Sequence, residues 1–252
     1  MKTINQFLLS LLALIVLSCG SDKHDFPLDK RYWDVKDYDN AARELRFGYE
    51  KDEQLPMFDN PESRIIVEKL TDHQNYKVVL DDDELGLKYR NNIAEKFFEE
   101  WKGMTKIYLA RDRKDQYLYE KELLAVRHFG LGLQIKYFDL GNQQIIKNSD
   151  DPNSSETKRV VNSNIKTLVN NYLNYLDQIN NEESFTASGQ KILGQGIEKY
   201  FNELIDHYPD ADYTGLVNKA ELLLKKSKST DIQQPLQKLI TRLDAKQSSK
   251  SY

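Results

Sequence analysis

The chain is 252 residues long, 39% hydrophobic and 30% charged, with a formal net charge of −4 and a single cysteine. That share of apolar residues can bury a sizeable core, which excludes a disordered polymer, and the lone thiol excludes a disulfide framework or a thiolate zinc cluster. Residues 20–100 carry 21 acidic and 13 basic groups, whereas residues 219–252 carry 3 and 8; the basic end has no interleaved aromatics, so nucleic acid is not an expected partner.

In chain order, "MKTINQFLLSLLALIVLS" comes first, with Lys2 as its only charge and an oily run from Phe7 to Leu17. A helix needs about 20 apolar residues to span a bilayer. The shorter run reads as a secretory signal over residues 1–18. Val16-Leu17-Ser18-Cys19 resembles the lipobox of bacterial lipoproteins. The resemblance implies cleavage before Cys19, a diacylglyceryl group on its sulfur and acylation of the new amino terminus. At about 0.8 kcal/mol per buried methylene, two or three acyl chains hold a protein stably on a membrane. Gly20 follows, where an aspartate would resemble the inner-membrane retention signal. The expected location is thus the outer membrane, on its periplasmic face or at the cell surface. Residues 19–33 then read as the lipidated cysteine and a polar tether, 34–245 as one helical domain, and 246–252 as a frayed tail.

Beyond the tether, "DYDNAARELRFGYE" predicts a first helix. "DNPESRIIVEKLTD" predicts a second, with Asn60 as cap and Pro61 at the first helical position. Tyr76–Leu80 suggests a short strand, followed by an acidic helix start at 81–84, where the macrodipole favours carboxylates. Leu85, Tyr89, Ile93, Phe97, Trp101, Met104 and Tyr108 recur every three or four residues and define one apolar stripe. "RKDQYLYEKELLAVRHFG" predicts another helix that Gly130 could stop.

The stretch 131–147 is two-faced. Leu131, Leu133, Ile135 and Tyr137 alternate as in a strand, with a hairpin over 139–142. Leu131, Ile135, Phe138 and Ile145 also fit a buried helix, and the helical neighbourhood favours that reading, with Gly132 and Gly141 as close-packing positions. Asn153 and Glu156 suggest a capping box. Further stripes follow at 161–179, 192–205 (closed by Pro209), 216–224 and 236–243. The fold class is all-α: an array of about seven or eight antiparallel helices.

Chemistry-bearing patterns are few. In "DADYTGLVNKAE", Asp210, Asp212, Thr214, Gly215, Asn218 and Glu221 fall at loop positions 1, 3, 5, 6, 9 and 12. This resembles an EF-hand calcium loop, which would make these residues metal ligands. Pro209 denies the entering helix its last hydrogen bond and no second hand follows, which favours an ordinary acidic connection between helices. The four histidines have no ligand spacing, and no nucleophile elbow or phosphate loop is present. His128, on an otherwise apolar helix, reads as a hydrogen-bonded core residue rather than a catalyst. No cofactor is implied and no catalytic residue stands out. The expected role is binding: an envelope protein as partner, then a small ligand or cation, then an enzyme whose site is assembled across helices.

Overall fold

The computed structural model describes residues 24–52, 57–109 and 118–249. Cys19 and the signal segment lie outside the described residues. The chain is all-α, with no strand among the described residues. In order come α1 (Val35–Asp52), α2 (Pro61–Leu70), α3 (Gln74–Leu80), α4 (Leu87–Leu109), α5 (Glu120–Asn148) and α6 (Ser155–Leu176). A 3-10 segment, Asp177–Ser184, leads to α7 (Ala187–Gly196), which a π turn, Ile197–Phe201, joins to α8 (Asn202–His207). The last two are α9 (Thr214–Lys226) and α10 (Thr230–Ser249). No described helix is long and apolar enough to cross a membrane.

α5 is the central helix. It packs on α4 most extensively, and also on α2, α6, α7, the π turn and α8. This explains the ambiguous stretch: a helix surrounded by neighbours is apolar on several faces, and its Leu131, Leu133 and Ile135 are all buried. The hairpin alternative at 131–147 is therefore corrected to helix. Gly130 does not stop α5 either. A Cβ there would overlap the Trp101 indole, whose Nε1 donates to the Val126 carbonyl at 2.9 Å. The glycine lets α4 and α5 approach. Gly132 makes a similar space for His73, whereas Gly141 has nothing nearer than Asn91 Oδ1 at 3.9 Å.

Other expectations resolve in the same terms. The Asn60 side chain accepts from the Ser63 amide at 3.1 Å, so it caps α2 as read. Ser154, not Asn153, caps α6, accepting from the Thr157 amide at 3.1 Å. The strand expected at Tyr76–Leu80 is α3, because Asn75, Tyr76 and Leu80 share one buried helical face. Tyr89 leaves its stripe and is 54% exposed, lining an open groove between α1 and α4. The described part of the expected tether, 24–33, is packed: Phe26 and Trp33 are buried in the core, and the Trp33 indole donates to the Pro27 carbonyl at 2.8 Å. At the other end α10 continues to Ser249, past the expected limit at 245.

Two buried glutamates tie distant segments together. Glu120, at the start of α5, accepts from the Thr186 amide at 2.8 Å and from its hydroxyl, just before α7. Glu182 accepts from the Ser227 hydroxyl at 2.5 Å and the Lys228 amide at 2.6 Å, in the turn between α9 and α10. Glu120 thereby satisfies the amide just before α7, and Glu182 an amide of the α9–α10 connection, backbone donors that would otherwise be left open.

Candidate functional site

The turn between α8 and α9 is folded around Tyr213. Its buried hydroxyl donates to the Leu204 carbonyl at 3.2 Å and the Tyr208 carbonyl at 2.8 Å, closing the end of α8 from the inside. Asp212 Oδ1 accepts from the Thr214 amide at 2.9 Å and starts α9. The Asp212 carboxyl is held below its usual range, first by the amide and hydroxyl of Thr214 and then by the charge of Lys166.

That geometry splits the residues read as a calcium loop. Asp210 and Asp212 lie in the turn, but Thr214 and Gly215 already belong to α9. Asn218 and Glu221 sit one and two turns along the helix, both exposed. At 1.5 Å per residue, about 10 Å of helix rise separates Thr214 from Glu221, so the set does not wrap one centre. Among the described residues no group of three or more His, Cys, Asp or Glu side chains is gathered to hold a metal.

What the turn does form is one wall of a groove of about 650 Å³ against α6. Its apolar lining is Ile165, Val169, Leu173, Pro209 and Ala211; its polar lining includes Asn162, Lys166, Asn170, His207, Asp210 and Asp212. The N-terminal part of the α6 stripe, Val161 and Ile165, is only half-buried because this flank carries no covering helix, whereas Leu168, Tyr172 and Leu176 further along are fully buried. Beside the groove His207 Nε2 lies 3.3 Å from Asp139 Oδ1. Burial alone would raise the Asp139 carboxyl, but the His207 contact, Gln143 and Lys136 outweigh it and hold it below its usual range.

A second, more open groove of about 970 Å³ runs between α1 and α4. Val35, Ile93 and the exposed Tyr89 line it, with Asp39, Glu95, Glu99, Glu100, Lys36 and Lys96 around them. Burial, followed by the charge of Asp39, raises the Glu100 carboxyl.

A histidine–tyrosine cluster lies within the fold, apart from the lining of either groove. His73 Nδ1 is 2.8 Å from the Tyr76 hydroxyl and its Nε2 is 2.9 Å from the Tyr200 hydroxyl. His128 Nε2 is 2.7 Å from the Tyr175 hydroxyl, in keeping with its reading as a hydrogen-bonded core residue. A Cβ at Gly196 would overlap the His128 ring. Burial, then nearby Lys199, pushes His73 down to about 3 and His128 down to about 4. Both rings are thus neutral near pH 7, which lets each of the two bonded ring nitrogens of His73 act as donor or acceptor to its tyrosine. Sequence reasoning missed the partnership of His73 with Tyr200, 127 residues apart, because no local spacing carries it.

No protein-family model, curated protein or solved structure matches the chain.

Proposed function

We propose that the chain is a bacterial envelope lipoprotein, held on the outer membrane through Cys19, that acts by binding another envelope protein. The observation that carries the reading is the nearness of the anchor to the fold. Phe26 is buried, and seven residue steps separate it from Cys19. At about 3.5 Å per residue, the connection spans at most about 25 Å whatever its conformation. A protein tied that closely meets its partner at the membrane rather than across the envelope. The α1–α4 groove supports a protein as that partner: it is open, and it presents Tyr89 among charged side chains, as interface tyrosines are presented. This reading needs no cofactor and no nucleic acid.

Two measurements test it. Cys19→Ala should move the protein from the membrane to the soluble fraction, and metabolic labelling should put acyl chains on the wild type alone; unlabelled wild type would remove the anchor. A photo-crosslinking residue at Tyr89 should give a discrete protein adduct in intact envelopes, while one at the equally exposed Leu222 on α9 should not. Equal yields from both positions would end the assignment of the α1–α4 face.

A further inference from the structure

We propose that the groove between α6 and the 208–213 turn binds a short peptide with free termini, Lys166 taking its carboxylate and Asp212 its ammonium. This site is separate from the α1–α4 face, and its argument does not depend on the anchor.

The volume comes first. About 650 Å³ lies within the ~300–1,000 Å³ typical of small-ligand sites, which are apolar with a few convergent polar groups. Ile165, Val169, Leu173 and Ala211 supply an apolar floor contributed by two different elements. That floor suits aliphatic or aromatic side chains.

The charges decide the ligand class. Lys166 and Asp212 line the same groove, and Lys166 is close enough to lower the Asp212 carboxyl. Yet no ion pair forms between them among the described residues, where pairs such as Lys219–Asp177 close to 2.6 Å. A cation and an anion that face one groove without closing on each other offer complementary ends to a molecule carrying both charges. Asp212 Oδ1 caps α9, and the exposed carboxylate still presents its negative charge to the groove for an ammonium. A carboxylate and an ammonium joined by amide bonds also need neutral donors and acceptors between them. Asn162 and Asn170 line the groove, on α6 like Lys166, and each amide offers both. The groove also carries Asp210 on the Asp212 side, so its charges are one ammonium against two carboxylates. A purely apolar ligand would leave them unused, a simple anion would meet like charge at the turn, and a simple cation would meet like charge at Lys166.

The test is calorimetric titration of the full chain in detergent with leucyl-leucine, alongside its N-acetylated and C-amidated forms. The dipeptide should bind with a dissociation constant below about a millimolar, and each capped form at least tenfold more weakly. Lys166→Met should abolish the discrimination against the amide. Asp212→Asn, whose side-chain oxygen can still accept from the Thr214 amide, should abolish the discrimination against the acetylated form. Both positions are exposed, so neither variant should lower the melting temperature appreciably, and a melting scan checks that. No heat with the dipeptide at millimolar concentration would overturn the proposal. So would equal affinity for all three forms, which would reduce the groove to an apolar surface.

Discussion

α5 and α6 are neighbours with similar apolar content and opposite fates. α5 is packed by elements from both halves of the chain, to the point that side-chain atoms of Trp101 and His73 occupy the space over its glycines. α6 buries Leu168, Val169, Tyr172, Tyr175 and Leu176 but leaves Val161 half-buried and Ile165 half-open toward a groove. The same helical spacing therefore yields core where a neighbour covers it and a candidate binding surface where none does.

The strongest way to break this contrast is acid. His73 packs against Phe129 of α5 and Tyr200 of the π turn, His128 of α5 packs against Tyr200 and Gly196, and burial pushes the two rings down to about 3 and about 4. Folding then holds both neutral, while the unfolded chain takes up their protons below about pH 6.5. The stability they contribute is fully present above that value and is lost as pH falls toward the folded values. Between pH 7 and pH 5 each should cost about 2 kcal/mol of unfolding free energy. Urea titrations of the wild type and His128→Gln should differ in that pH dependence by about 2 kcal/mol. Parallel profiles would show that His128 carries no such burden.

Next in size is a pair of substitutions in α5 itself. Gly130→Ala pushes a methyl into the Trp101 ring and should destabilise by about 3 kcal/mol, the upper end of ordinary overpacking. Gly141→Ala, with its nearest neighbour at 3.9 Å, should instead stabilise by about 0.5–1 kcal/mol through helix propensity. Thermal unfolding of the two variants should move in opposite directions. A loss at both positions would mean that α5 tolerates no change anywhere.

The finest comparison lies within the α6 stripe. Leu168→Ala should cost about 3 kcal/mol as a fully buried cavity mutation, whereas Val161→Ala should cost less than about 1 kcal/mol. Equal losses would mean that the open flank is as well packed as the buried one.

Much of the scaffold was legible from local pattern. Asn60 and Pro61 announced α2, and Pro209 marked where α8 gives out at His207. Of the stripes at 85–108, 161–179 and 192–205, most positions are buried where the periodicity put them, whereas Leu85, Trp101, Val161, Ile165 and Ile192 are only partly buried and Tyr89 is exposed. The candidate site was only half legible. Asp210 and Asp212 were singled out for a metal loop, but what draws them to a site is a groove whose other wall, α6, lies some 40 residues earlier. Glu120, paired with Thr186 across 66 residues, and Glu182, paired with Ser227 across 45, gave no signal at all.

By itself, the sequence determined that this protein is helical, where α2 begins and α8 ends, and that a lipobox-like cysteine precedes its fold. Those properties depend on residues within a turn or two of each other, where capping, proline and apolar spacing act directly. Tertiary structure removed the hairpin alternative at 131–147, and it alone decided that residues 26–33 pack instead of trailing and that Tyr89 and Ile165 face open grooves. Burial is a relation between segments distant in the chain, so an apolar residue carries no mark of whether a neighbour will arrive to cover it.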